Sequence, residues 1–590
     1  MGLRSERVDD LPLLVGQLER MGIARLLDEH FPRHGNWQGL SLGWVATVWL
    51  SHILSQADHR LNQVQSWAEQ RLVTLRICTG QLVRALDLSD DRLAAVVEAL
   101  SDGERWTAFE DALTGHLVRV YQLRVEQVRL DSTTASGHHG VTEDGLFQFG
   151  HSKDHRPDLP QVKVMLSTLD PLGMPVATEV LAGDRADDPL YRPAIARVRA
   201  SLGQRGLLYV GDAKMAALET RAEVHAGGDR YLCPLTAIQV PAEHLDALLA
   251  PVWAEQQPLT AITRAQPNGV PLVVAEGFEQ AVPQCAPLTP TQEGPAGTTR
   301  ADGDQAEPVT WIERRLVVRS LQRAAAGAVA LDARLQKAQA AILALNERRR
   351  GKLRPRDLPS LLQMVDAIVA RYTVAGLLQV TAHEQVQARP LRRYRDRPAG
   401  QAVERELSVS VAVDDTAVAQ AKRRLGWRVY ATNAPATFGL EQAVRAYRDA
   451  YLIEGGFGRL KGQPLSLTPL FLHRDDHVTG LIRLLSIGLR LLTLVQHVVR
   501  QQLATQALTL AGLSPGNPSR STARPTTEAL LAAFRSLTLT IVTSSGARLL
   551  HLSPLSPLQT QILALLGCPP DLYSRLAAPS PQPPQRMSER

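Results

Sequence analysis

Two aspartates stand where strand-like apolar runs stop. The run VEQVRLD (125–131) ends on Asp131 and continues as Ser-Thr-Thr, and LLYVGDAK (207–214) delivers Asp212 in the same manner. A carboxylate at the carboxyl end of a strand points into the crevice where α/β proteins bind ligands. The plain alternative is an aspartate that opens a turn or caps a helix. Side by side, two such strands would hold two like charges together, which is costly unless a cation lies between them. Mg²⁺ takes a few carboxylates together with waters and phosphate oxygens, and such a pair offers that set. A third carboxylate, Glu454, lies in AYRDAYLIEGGFGRLKG (446–462). Tyr447, Glu454 and Lys461 are seven apart, so one α-helix would carry them on one face. An ordinary Glu–Lys surface stripe has the same spacing.

Other polar residues carry less information. His138 and His139 follow the first aspartate and read as loop surface. His151, Lys153, His155 and Arg156 form a basic loop between two strands, either near the site or a solvated hairpin. Lys214, two residues past Asp212, is a candidate phosphate contact. Asp184, Asp187 and Asp188 precede a helix, and N-terminal capping accounts for them. Gly455, Gly456 and Gly458 are no nucleotide loop, since no strand precedes them and no G-K-[ST] ending follows.

Positioning these groups requires several domains, because 590 residues exceed one ordinary core. Residues 1–120 show apolar residues at helical spacing, with a helix start at Ser89-Asp90-Asp91. From Val125 the texture turns to short strands (Val125–Leu130, Val162–Leu169, Val176–Leu181), a helix (Pro189–Leu202) and the strand Gly206–Gly211. That alternation predicts a mixed α/β sheet over 121–234. The pattern is then interrupted over 235–403, with short strands in Pro251–Val282, an irregular stretch Ala286–Pro308, and two helices, Leu321–Arg350 and Leu358–Tyr372. The α/β texture returns over 404–511, followed by a small segment 512–576 and a polar, proline-rich tail 577–590. The apolar stretch Val478–Val499 carries Arg483, Arg490 and His497, which suits a core helix better than a membrane span.

The net charge of +6 permits nucleic-acid binding without requiring it. Arginines gather at Arg314–Arg315–Arg319, at Arg348–Arg350 with Lys352 and Arg354, and at Arg389–Arg392–Arg393–Arg395–Arg397, either as solvated faces or as phosphate contacts. Four scattered cysteines form no CxxC pair, which argues against a zinc ribbon and fits a reducing cytoplasm. No signal-peptide core precedes the first helix.

Taken together, LDSTT, the segment FGHSKDHRPDLPQVKV (149–164), Asp212 and the Y-x₂-R-x₃-E-x₆-K-like spacing resemble bacterial insertion-sequence DDE transposases of the insertion-sequence-four type. The resemblance runs from about Val125 to Arg500. It implies an RNase H-like catalytic core split by an insertion domain, a helical N-terminal domain that binds DNA ends, and a helical C-terminal region. It also implies a site of Asp131, Asp212 and Glu454 holding two Mg²⁺ ions, with Mn²⁺ as a substitute. Tyr447, Lys461, Lys153, His155, Arg156 and Lys214 would contact DNA. Terminal inverted repeats and target DNA are the expected partners of a homodimer in the bacterial cytoplasm, at the nucleoid, with no membrane. There are two departures: Ala450 stands where the family pattern has Arg, and three glycines closely follow Glu454. Arg448 lies about 240° around a helix from Glu454 and cannot take over that contact.

The expected activity is metal-dependent strand cleavage at element ends followed by strand transfer into target DNA. An RNase H-fold nuclease without strand transfer would use the same residues. A decayed, DNA-binding remnant draws its support from Ala450. A glycoside hydrolase with paired carboxylates fits poorly, because aromatic residues make up only 5% of the chain.

Overall fold

The computed structural model describes residues 2–32, 35, 37–265, 270–288, 308–347, 355–391, 400–544 and 547–577. It is a mixed α/β protein whose chain divides into two compact units. The first comprises Met1–Cys233, Gln284–Trp311 and Arg445–Arg590, and the second Pro234–Pro283 and Ile312–Val444. The second unit thus ends at Val444, and residues 404–444, expected in the catalytic core, lie within it.

The chain opens with strand β1 (Gly2–Arg7), where sequence periodicity had suggested only helix. Helices α1 (Leu11–Arg20), α2 (Ile23–His30), α3 (Leu42–Gln56), α4 (Leu61–Glu69), α5 (Leu72–Thr79), α6 (Asp90–Leu100) and α7 (Gly103–Val120) follow. Local chemistry sets several of their starts. The Ser41 hydroxyl accepts from the Trp44 N–H at the head of α3, and Asp102 accepts from the Arg105 N–H at the head of α7. Phe31, Trp49, Trp106 and Phe109 are buried between these helices.

The first unit's sheet comprises β2 (Gln127–Ser136), β3 (Gln161–Leu169), β4 (Met174–Ala182), β5 (Leu208–Val210) and β6 (Arg230–Pro234), with α8 (Tyr191–Leu202) and α9 (Leu218–Ala226) between its later strands. Spatial order is β4-β3-β2-β5-β6. The β2–β3 and β3–β4 pairs are antiparallel, whereas β5 runs parallel to β2 and β6 parallel to β5. A three-strand meander extended by parallel strands is the RNase H-like arrangement. β3 is buried along its whole length, so it lies inside the sheet with both faces covered.

In the second unit come α10 (Ala242–Trp253), β7 (Thr260–Ala265), β8 (Pro271–Ala286), β9 (Val309–Ser320), α11 (Leu321–Leu343), α12 (Leu358–Tyr372), β10 (Leu378–Leu391), β11 (Gly400–Val413), α13 (Asp415–Arg423) and β12 (Trp427–Thr432). Its strands run in the order β12-β9-β8-β7, and β10 and β11 form a separate two-stranded ribbon. The base of that ribbon packs on α11 and α12 through Ile342, Leu361, Val365 and Val409. Of the arginine runs, Arg314, Arg315 and Arg319 serve this unit internally, pairing with Glu279, Glu313 and Glu276. That corrects their reading as phosphate contacts. The run 348–354 and Arg392–Arg397 lie outside the described residues, as do most of the stretch Ala286–Pro308 and the tail beyond residue 577.

The chain then enters α14 (Leu440–Arg448), α15 (Tyr451–Lys461) and α16 (Asp475–Thr505), and closes with β13 (Leu510–Ala511), β14 (Ser521–Thr522), α17 (Thr527–Ala532), β15 (Thr538–Ser544), β16 (Ala547–Leu552) and α18 (Pro557–Leu565). β1 pairs antiparallel with β15, so the chain's two ends share one small sheet. α16 is long and apolar enough to cross a membrane, yet Leu484–Val495 is buried without a break inside the protein. Each buried leucine there contributes about 2 kcal/mol, so this helix is the spine of the first unit's core. Close approach to α6 demands glycine at position 480, where a Cβ would lie 1.8 Å from the Val97 carbonyl oxygen.

Candidate functional site

Asp131 does not end its strand. β2 runs on to Ser136 because it forms a hairpin with β3, in register Asp131↔Leu166 through Ser136↔Gln161. What ends near Asp131 is the parallel partner: β2 and β5 pair only as far as Arg129↔Val210. Carried two residues further, that register sets Asp131 level with Asp212, which leaves the sheet as the N-cap of the short turn Ala213–Ala216. The strand that ends beside these carboxylates is therefore the short β5 and not β2.

The groups around these carboxylates explain their electrostatics. The Asp131 side chain keeps 28% of its exposure. Burial, followed by the neighbouring charge of Asp212, pushes its pKa from 3.8 up to about 6, against the pull of Lys153 and the Ser132 N–H. The Lys153 ammonium lies 3.6 Å from Asp131 Oδ1 and donates to the Ser132 carbonyl and hydroxyl at 2.6 and 2.8 Å. Asp212 Oδ1 accepts from the Lys214 N–H at 2.8 Å and from the buried Tyr191 hydroxyl at 2.6 Å. Burial, then Asp212, Asp131 and Asp187, drives the Tyr191 pKa well above its ordinary value.

Asp187 is one residue that sequence reasoning assigned wrongly. It precedes the turn Asp188–Leu190 but makes no side-chain cap. Its Oδ1 instead accepts from Ser132 Oγ at 3.0 Å and from Lys163 Nζ at 2.7 Å, while Lys153 lies 3.7 Å from Oδ2. Burial raises its pKa, but Lys163, Lys153 and Ser132 together outweigh burial and hold it below the usual range. The available signal was Lys163, a lone charge in the otherwise uncharged run QVKVMLSTL. A buried ammonium requires a counter-ion, and Asp187 supplies it.

Tyr447, Glu454 and Lys461 do not share one helix. The chain breaks at Asp449–Ala450, leaving Tyr447 on α14 and the other two on α15. The break precedes Glu454; the glycines after it do not interrupt α15. A Cβ at Gly455 or Gly458 would meet nothing within 4 Å. α15 buries Ile453, Gly456, Phe457 and Leu460, which leaves Glu454 exposed beside that face. Lys461 is about 20° away from Glu454 around the helix and about 10 Å further along it. The Lys461 ammonium donates to Asp154 Oδ1 at 2.6 Å and reaches the Thr134 carbonyl at 3.4 Å. Thr134 is three strand residues, again about 10 Å, beyond Asp131. At the other end of α15, the Leu452 carbonyl lies against Gly173 in the β3–β4 turn, where φ is +72° and a Cβ would come within 3.2 Å. α15 thus runs alongside β2, tied to it at its far end by Lys461.

Among the described residues no three His, Cys, Asp or Glu side chains already stand close enough to share one metal ion. Asp131 and Asp212 offer the hard oxygen donors that Mg²⁺ takes, and Glu454, exposed on α15, is a carboxylate of the same kind. Two of the remaining expected DNA contacts are already engaged. Arg156 is held by Asp158 and Lys214 by Asp188. His155 is exposed, with a positive φ of 56°. His139 stacks on Phe147 and bonds the Leu472 carbonyl, so it belongs to packing and not to loop surface.

No known family profile matches the chain, and no curated protein matches it. One solved structure with detectable similarity is a piggyBac transposase synaptic complex with hairpin DNA, determined by cryo-electron microscopy. It is 9% identical, with a TM-score of 0.23, over 53% of this chain and 63% of that one. The chain therefore spans under two thirds of that neighbour's length.

Proposed function

We propose that this chain is a DNA transposase that cuts element ends and joins them to target DNA by metal-dependent phosphodiester chemistry. The observation that supports the reading is the β2–β5 register, which carried forward sets Asp131 level with Asp212, with Glu454 exposed on the neighbouring α15. Asp131, Asp212 and Glu454 would hold two Mg²⁺ or Mn²⁺ ions, which when bound acidify an attacking water and stabilise a leaving 3′ oxygen. The chain's own residues prepare that site. Tyr191 and the Lys214 N–H fix the rotamer of Asp212, and the Ser132 N–H donates to Asp131 Oδ1 at 2.7 Å. Lys153, held by Ser132 and flanked by Asp187, keeps a positive charge at the edge of the site, where a phosphate would enter. Lys461 spans to Asp154 and steadies the loop that carries Lys153. No Ser or Tyr nucleophile is required.

The reading extends to terminal inverted repeats as the DNA recognised and to a dimer that pairs two ends. The likeness in sequence to insertion-sequence-four-type transposases supports both. The test incubates the full chain with Mg²⁺, a labelled duplex carrying the repeat that flanks its gene, and a supercoiled target. Cleaved ends joined to target support the proposal. Nicking without joined product identifies a nuclease, and binding without cleavage identifies a decayed remnant, as Ala450 would suggest.

A further inference from the structure

The break before Glu454 leaves one backbone group in want of a partner. In an unbroken helix the Ala446 carbonyl would accept from the Ala450 N–H. Here that N–H turns back to the Tyr447 carbonyl at 3.3 Å, and the Asp449 N–H goes to Arg445. The Ala446 carbonyl is thereby released from the helical ladder, and a buried carbonyl must find another donor. Arg129 provides it, with Nη2 lying 2.5 Å from the Ala446 oxygen. The same nitrogen donates to Asp170 Oδ2 at 2.7 Å, an oxygen that also accepts from Gln127 Nε2 at 2.6 Å. Arg129 is 3% exposed and Asp170 5%. Two buried charges so placed are costly unless paired and bonded, so the arrangement is specific in geometry.

Arg129 stands two residues before Asp131 on β2, and period-two alternation puts both side chains on one face of the sheet. The carbonyl it holds lies eight residues before Glu454. Seven residues after Glu454, Lys461 reaches back to Thr134, three residues past Asp131. The two ties bracket both carboxylates, one on the strand and the other on the helix.

We infer that the Arg129–Asp170 pair is a positioning device, which docks the broken end of α14 on β2 and so sets α15 at the height where Glu454 faces Asp131. The inference rests on the proposed transposase site for its consequence in catalysis, but the tie itself is independent of that reading. A straight helix through 446–461 would need no such anchor. The break frees α15 to take its own direction, and the guanidinium, with two acceptors at fixed distances, removes that freedom.

Arg129→Lys separates the two contacts, because one ammonium can keep the Asp170 ion pair without also reaching the carbonyl. Hydrogen–deuterium exchange on the full chain is expected to quicken at 449–461 by about tenfold or more, with β2 and β3 unchanged. On a labelled duplex with Mg²⁺, kcat should fall by at least about tenfold while KM stays within about twofold, because positioning is lost and DNA binding is not. Asp170→Asn leaves the arginine on the carbonyl but without its buried counter-charge, so its rise in exchange at 449–461 should be clearly smaller than that of Arg129→Lys. Unchanged exchange at 449–461 in Arg129→Lys would overturn the inference. So would loss of protection across the whole sheet, or a rise in Asp170→Asn as large as in Arg129→Lys. If the natural chain cuts no DNA, the transposase reading fails while the exchange measurements still decide the tie.

Discussion

Arg490 and Glu110 form an ion pair wholly inside the first unit, and what it is worth can be worked out from its surroundings. Arg490 Nη2 and Glu110 Oε1 are 2.5 Å apart, with side chains 0% and 1% exposed. Arg490 also donates to Ser486 Oγ at 2.9 Å, and Glu110 Oε2 accepts from the Thr178 N–H at 3.3 Å and lies 3.5 Å from Arg197 Nη2. Glu110→Met strips the guanidinium of its only close counter-charge among the described residues, which should cost about 4 kcal/mol. Arg490→Met leaves a carboxylate that still has Thr178 and Arg197, so it should cost less, about 3 kcal/mol. The double variant removes both desolvation costs and should lie within about 1 kcal/mol of the natural chain, a coupling of roughly 6 kcal/mol. Because a two-unit chain need not unfold in one step, the assay is native-state exchange of the slowest amides in Leu481–Val495. Additive costs in the double variant would refute the argument. So would either single substitution costing under about 1 kcal/mol.

Other predictions follow from the same physics. Burial lifts the Asp10 pKa from 3.8 to about 6, opposed by the Ser55 hydroxyl at 2.7 Å. The folded state therefore holds that proton more tightly, and the associated stability is full below pH 3.8 and lost as pH rises through 6, by about 3 kcal/mol. Native-state exchange of the slowest amides, corrected for intrinsic rates, should show this slope between pH 3 and 7, and Asp10→Asn should remove Asp10's share while leaving that of Asp131. Asp187→Ala leaves the Lys163 ammonium buried without a counter-ion and should cost about 3 kcal/mol, read as faster native-state exchange of the β3 amides. Gly480→Ala drives a methyl into the Val97 carbonyl and should cost about 2 kcal/mol or more, whereas Gly455→Ala on the open side of α15 should stabilise by up to about 1 kcal/mol.

The sequence revealed the fold class more readily than the site. Strand runs at Val162–Leu169 and Val176–Leu181 and the helix ending at Leu202 were legible because apolar periodicity reports burial directly. β1 was missed since its partner, β15, lies over five hundred residues away, and a strand of six mostly exposed polar residues has no periodic signature. The end of β2 was misjudged for a related reason. Ser132, Thr133 and Thr134 are polar but buried, satisfied by pairing with β3 and by Lys153 and Asp187. The heptad spacing of Tyr447, Glu454 and Lys461 assumed an unbroken helix. The break at Asp449–Ala450 is held by a tertiary contact from Arg129, which no local pattern announces. Asp187 and Tyr191 were hidden among residues that ordinary capping explains.

The most direct test of the central claim is Mg²⁺-dependent cleavage of a duplex carrying the flanking terminal repeat, comparing the natural chain with Asp131→Asn, Asp212→Asn and Glu454→Gln. Each substitution should lower the cleavage rate by about a thousandfold or more while leaving DNA binding and thermal midpoint near those of the natural chain. Cleavage that survives any one of the three at the natural rate would contradict the account.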